Sequence, residues 1–596
     1  MRYLIGFICI LFIPLSASAD ALDQAFKDFT TGHYEAALPV LEAAAEQNPE
    51  AAFAAGIIKL QQIKKLLHDG KDAASTLSEA YEAFKKSKTA GYPSADAAIL
   101  ELKTVELEAL QGDSPRADKL SSDVWATLGE KYGSLGYIKL ESPYQALLYF
   151  TLPKFYKPQK LNNNDATSAA DQAVVLSKGQ LADWFKAEAI GQWARHQLQR
   201  AAESDQEFVR KFYRERAFFA LDMAYSLSGR QEFADQKAVL TEGGWSPFVV
   251  DDETNSDILP LPSYDGPDQK GFLAFDAGHF FVARQLLQPL ADAGNPDAAF
   301  AMYYMMEHGL AGFANPDQGM RQEQVEKLQN YLMDAVEGGS GEAATALSVY
   351  FSGVSDRLYK KNDAESDQKA AFYANESRKY LNKALNAGIP YAYRENMGVD
   401  YRVDPEKTEI SIRWGIYHAP SKFMRWDRSQ SFRYLGDRAA TDMTIHAKSE
   451  EFGRIFYKFA NSLYLRASAI AVDCGANARL SQFYSAKEAQ METAQMEAFL
   501  LVKGATTGAR LCTELSAEKL LNLVALGRDD LMTDALVWSG FVAEELGTKF
   551  PQAAQYRKRL PENRLADVDE KLEKVAGQWK NGDMSFLDNL LEQLKE

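Results

Sequence analysis

Apolar residues recur through most of this chain with the period of an α-helix. In the segment after Ala51, Phe53, Ile57, Leu60 and the stem of Lys64 fall in one register, so they share one helical face. The same period predicts a short helix over 21–30, a second running to about Glu46, a third from Ala51 towards Gly70 and a fourth over 73–88. A recurring corner separates such helices. Ala-Gly, any residue, Pro, any residue and Ala occurs as Ala90–Ala95, Ala293–Ala298 and Ala387–Ala392. Gly91, Gly294 and Gly388 are placed to end one helix in the left-handed conformation. Pro93, Pro296 and Pro390, with φ preset and no N–H to lose, suit the first turn of the next. Relaxed copies stand at Asn48-Pro49-Glu50-Ala51 and Gly339-Ser340-Gly341-Glu342-Ala343.

The second half of the chain restates the first. Gly278-His279-Phe280-Phe281-Val282-Ala283 parallels Gly32-His33-Tyr34-Glu35-Ala36-Ala37, and each leads through a Leu-rich helix to Asn-Pro-acid-Ala-Ala-Phe. Further copies of the hairpin are expected around Ala478-Arg479-Leu480 and from Ala498 through Gly504 to Gly508. The Gly-x-aromatic-x-x-Ala opening, the Leu-rich helix, the Ala-Gly-Asn corner and the Ala-rich return helix resemble Sel-one-like repeats, relatives of the tetratricopeptide repeat. The resemblance is good over 271–392, fair over 20–110 and 476–523, and poor over 124–245 and 401–449. It implies an all-α chain, an α-solenoid of stacked helical hairpins, with a concave face for a partner. The expected organisation is an N-terminal helical block over 20–245, a linker or crossover over 246–268 rich in Pro and Asp, and a C-terminal block over 269–596. The latter carries an aromatic and Arg-rich insertion at about 391–438.

Length and composition support this reading and narrow its partners. The chain has 596 residues, 46% of them hydrophobic and 25% charged, which suits a folded protein. A net charge of -17 opposes nonspecific binding to nucleic acid or to an anionic membrane surface. At the N-terminus, Arg2, the apolar run Leu4–Leu15 and Ala17-Ser18-Ala19 have the order of a cleavable signal peptide, with the cut expected after Ala19. The apolar run is short for a bilayer span, and no later segment reads as transmembrane. The mature chain would therefore be periplasmic or secreted. It keeps Cys474 and Cys512; export permits a disulfide, but their spacing in sequence leaves bonded and free forms both open.

Catalytic signatures are missing from the sequence. It has no HExxH, no CxxC, no phosphate loop and no dinucleotide fingerprint, so no metal or cofactor is expected. Gly338-Gly339-Ser340-Gly341 lacks the last Gly of a nucleophile elbow, and the repeat already accounts for it as a corner. His33 and His279 occupy equivalent helix-start positions, which points to structure and not to ligation. Asn162-Asn163-Asn164-Asp165 reads as a surface loop. The most unusual segment is 391–434, where Tyr393, Trp414, Tyr417 and Trp426 interleave with Arg394, Arg413 and Arg425. Aromatic and Arg side chains are common binding anchors, so these seven are the candidate partner-binding residues. The competing expectation is that the rings fill a core while the arginines pair with neighbouring acids. The function expected from these features is a non-catalytic scaffold for protein–protein interaction in the cell envelope. A polysaccharide-binding or polysaccharide-assembly factor is the alternative, and a carboxylate-based hydrolase comes third. A glycan site would require exposed Trp414 and Trp426.

Overall fold

The computed structural model describes residues 19–110, 115–132, 141–151, 163–242, 245–248, 269–313, 321–361, 363–387, 389, 392, 405–418, 423–445, 447–485 and 491–595. The signal-peptide reading, nearly all of the expected linker, and Gly388, Pro390, Tyr393 and Arg394 lie outside these residues. Among the described residues the regular structure is helical and no strand occurs. Helices adjacent in sequence pack against one another, as an α-solenoid of helical hairpins requires.

The corner residues explain why the chain turns where it does. Gly32, Gly91, Gly278, Gly294 and Gly339 all have φ between 82 and 90°. Each corner closes with the same pair of backbone bonds. At Gly294, its N–H donates to Ala291 O at 2.9 Å and Asn295 N–H donates to Leu290 O at 3.0 Å. At Gly91 the matching bonds run to Lys88 O and from Tyr92 to Ser87 O. This is the Schellman arrangement, and it needs a residue free of a Cβ clash at positive φ. The entry into the next helix differs between copies. Asn48 and Asn295 accept backbone N–H bonds through their side chains, which places Pro49 and Pro296 at the first helical position. In the first full copy of the corner, Tyr92 stands where Asn would cap, and the helix begins later, at Ala95, leaving Pro93 in the turn. The missing side-chain acceptor is the physical reason.

The chain divides into two compact units. The first comprises residues up to Asp205, then Arg210–Trp245 and Asp442–Phe456. Its core is a mesh of rings. Phe53 packs against Phe84, Tyr92, Tyr144 and Phe185 at centroid distances of 4.9 to 5.7 Å. Phe29 meets Trp184 at 5.2 Å, which brings the helix Ala182–Ala202 onto Ala19–Thr30. A charged cluster lies beside it. Arg230 donates to Glu188 at 2.8 Å and Arg195 to the same carboxylate at 3.3 Å. Burial pushes Glu188 up, but the two arginines outweigh it and hold the carboxylate down to about 2.

Asp171 draws the late segment Asp442–Phe456 into the first unit. Its carboxylate accepts the backbone N–H groups of Lys448 at 2.7 Å and Ser449 at 3.0 Å, immediately before the helix Glu450–Ile470. Phe452 then packs on Trp193 at 5.4 Å, and Lys186 pairs with Glu451 at 2.7 Å. This corrects the reading of Asn163–Asp165 as a surface loop. The helix Asn163–Leu176 starts there and carries Asp171 inward as a capping group.

The second unit comprises Gln206–Val209, Ser246–Thr441 and Tyr457–Glu596. One continuous apolar core runs from Phe272 to Leu594 through successive hairpins. Phe281 packs on Trp579 at 4.8 Å, and Trp538 stacks on Phe541 at 5.2 Å. The last helix, Ser585–Lys595, lies against Met491–Ala505, where Gln495 donates to the Leu594 carbonyl at 2.8 Å. Cys474 and Cys512 join in a disulfide with Cα atoms 5.8 Å apart.

Candidate functional site

The aromatic and Arg-rich segment forms two helices, Pro405–His418 and Met424–Ile445. Trp426 is 2% exposed and packs edge-on against Tyr304 at 4.6 Å, with Phe275 at 5.9 Å. Phe423 inserts among Phe272, Phe275 and Phe300. Arg413 is fully buried, its guanidinium 3.7 Å from Glu409 one turn earlier. Trp414 and Arg425 are half-buried. Tyr417 lies in the first of the two helices, but its side chain is outside the described set. The other arginines bond within the unit. Arg428 donates to the Ile416 carbonyl at 2.8 Å, Arg433 faces Asp473 at 3.5 Å, and Arg438 donates to Tyr434 Oη. A ring as buried as Trp426 cannot stack on a sugar unless the core opens. The structure therefore brings Trp426 and Arg413 into the interior instead of onto a shared outer face.

The reason is local. Asp276, buried at the end of the helix Gln269–Asp276, accepts the backbone N–H of Trp426 at 2.8 Å and a further one from Arg425. Burial pushes the Asp276 carboxyl up to about 7, against the pull of those two N–H bonds and of Arg425 and Arg428. This tertiary cap pins the first turn of the Met424 helix and aims its apolar face at the core.

A different place in the second unit has the form of a site. A cavity of about 660 Å³ is walled by three elements, with Val472 from the link between Glu450–Ile470 and Cys474–Ser485 completing the lining. The start of the helix Phe280–Asp292 supplies His279, Phe281 and Val282. Met491–Ala505 and the turn after it supply Phe499, Lys503 and Thr506. Gly582 and the last helix supply Asp583, Asp588, Leu591 and Glu592. His279 takes the N-cap position with φ -83° and ψ 64°, nearly the conformation of His33 in its own corner. The equivalence read from the sequence thus places His279 at the cavity wall.

Lys503 is the central polar group. Its Nζ donates to the Ser468 carbonyl at 2.8 Å and to Ser468 Oγ at 3.1 Å. Ser468 Oγ in turn donates to Asn477 Oδ1 at 2.8 Å, and Asn477 Nδ2 donates to the Asp473 carbonyl. Ser468 lies in the last turn of its helix, where the dipole favours a cation. Two of the three ammonium N–H groups are used in this way. Burial holds Lys503 below the ordinary lysine range, with no carboxylate opposing it. On the last helix burial pushes Asp588 up, His279 opposing and Asp583 adding to the shift. Glu592 is paired with Lys595 at 2.6 Å, and Asp583 accepts from Ser585 N at 2.9 Å and Gln578 Nε2 at 3.0 Å. Sequence reading passes over this site because none of its residues forms a motif and His279 reads there as a structural helix-start residue.

Among the described residues no cluster of His, Cys, Asp and Glu has the makings of a metal site, and no helix is long and apolar enough to cross a membrane. No family model matches the chain, and no curated protein matches it. Among solved structures it is similar to a protective antigen present in uropathogenic Escherichia coli strains and displaying an SLR fold. That similarity has 13% identity and a TM-score of 0.21, over 94% of this chain and 97% of that one. It is also similar to a circular tandem repeat protein with novel repeat topology, at 12% identity and a TM-score of 0.11, over 96% and 97%.

Proposed function

We propose that this chain is an exported, non-catalytic repeat scaffold that binds a protein or peptide partner in the cell envelope. The leader-like segment before Asp20 supports the export part of that reading. The observation that carries the binding part is a set of exposed apolar side chains spread over five helices of the second unit. Leu273, Val282, Leu286, Met333, Tyr350 and Phe372 are all exposed, Tyr350 at 50% and Phe372 at 60%. Single exposed apolar residues are ordinary; their recurrence from hairpin to hairpin suits multipoint recognition, in which each repeat adds one contact. The interior position of Trp426 speaks against the glycan alternative, which needed that ring outside.

The test is affinity capture from envelope extract with the mature chain, wild type against Tyr350→Ser/Phe372→Ser, with hydrolase assays on the same preparations. The reading expects one saturable protein partner whose retention falls about tenfold or more in the folded double variant. A partner held equally by both proteins would remove this surface from the proposal. Turnover of a glycan or peptide substrate would replace the scaffold with an enzyme.

A further inference from the structure

Lys503 and Asp588 line one cavity from the neighbouring helices Met491–Ala505 and Ser585–Lys595, and no ion pair joins them. Among the described residues Lys503 has no carboxylate within ion-pair distance, and two of its three N–H groups are anchored on Ser468. The remaining N–H is the one available to the cavity. On the last helix and the turn before it, Glu592 and Asp583 are already engaged by Lys595, Ser585 and Gln578, which leaves Asp588, with His279 as its electrostatic neighbour, as the carboxylate without such a bond among the described residues. Phe281, Val282, Phe499 and Leu591 line the same cavity. Burial strips Lys503 of hydration without giving it a carboxylate, while Asp588, exposed at the cavity and opposed only by His279, has room for a further cation. A ligand carrying the complementary charges and an apolar body engages both at once.

We propose that this cavity binds a zwitterion of the amino-acid or short-peptide class, its carboxylate on Lys503, its ammonium on Asp588 and its apolar side chain against Phe281, Phe499 and Leu591. The raised carboxyl of Asp588 and the lowered ammonium of Lys503 both return towards their ordinary values when the ligand is bound. The cavity shares Val282 with the proposed scaffold surface, but its ligand binding needs no macromolecular partner and is read on the purified chain.

The experiment is isothermal titration calorimetry with four probes: phenylalanine, the dipeptide Gly-Phe, N-acetylphenylalanine, which keeps only the carboxylate, and phenylalanine amide, which keeps only the ammonium. The proposal expects a zwitterion to bind at least about tenfold tighter than either half-blocked probe. The tighter of phenylalanine and Gly-Phe then separates a free amino acid from a peptide as the natural source. Lys503→Met is expected to abolish the advantage of phenylalanine over its amide, Lys503→Arg to keep part of it, and Asp588→Asn to abolish the advantage over the acetyl derivative. The wild-type series stands without any variant. Equal binding of blocked and unblocked probes, no heat from either zwitterion up to about 10 mM, or a preference surviving in both variants overturns the site.

Discussion

At the scale of the residue, the buried charges show how context reverses an intrinsic preference. Glu188 and Asp276 are both buried carboxylates, yet one is held down to about 2 and the other pushed up to about 7. Two guanidiniums outweigh burial at Glu188, while at Asp276 burial outweighs the capping N–H groups and nearby arginines. The sign at Glu188 follows from linkage. Its folded value lies below the ordinary 4.5, so its stabilising contribution is present above pH 4.5 and is lost as the pH falls towards 2. Glu188→Gln is expected to cost about 3–5 kcal/mol at pH 7, because it leaves Arg230 buried without its main partner. Urea unfolding of the first unit at pH 7 and pH 3 checks this. A gap between wild type and variant that does not narrow in acid would mean the cluster contributes by packing alone. None of this was legible in the chain, where Glu188, Arg195 and Arg230 are three unremarkable charges among many.

At the scale of the element, the repeat corner is one device with two endings. Its glycine half is constant, with left-handed φ and the paired backbone bonds recurring wherever the motif is described. Its capping half depends on the residue before Pro. Asn295 caps through its side chain, whereas Ser94 stands at an N-cap with no side-chain cap bond. Asn295→Ala is therefore expected to cost about 1 kcal/mol and Ser94→Ala close to none. Amide hydrogen exchange at the first turns following each corner measures this locally, and equal protection loss at both would refute the distinction. The corner was readable because it is built from neighbours in sequence. The N-terminal caps supplied by Asp171 and Asp276 were not, since the acceptor and the N–H groups it satisfies are far apart along the chain.

At the scale of the whole molecule, the Cys474–Cys512 disulfide ties two helices across the intervening Met491–Ala505 helix, closing a loop with a sequence separation of 38. Cross-linking a loop of that order restricts the unfolded chain, and reduction is expected to remove about 2–4 kcal/mol. Denaturation of the second unit with and without reductant tests it, Cys512→Ser serving as the permanently open form. Unchanged midpoints would show that the fold is indifferent to the bond, and an exported chain would then gain nothing from an oxidising compartment. The same helices place Lys503 at the cavity, so the covalent tie and the proposed ligand site share their framework.

The sequence by itself determined the helices, the corners and the all-α solenoid class, because each depends on a period or on contacts within one turn. It also made the aromatic and Arg-rich segment conspicuous, without deciding which way its side chains face. Only the tertiary structure decided that Trp426 and Arg413 go inward, that Asp442–Phe456 joins the first unit, and that Lys503 and Asp588 line one cavity. Those outcomes depend on which distant backbone and side-chain groups meet, and a local hydrophobic period carries no information about such pairs.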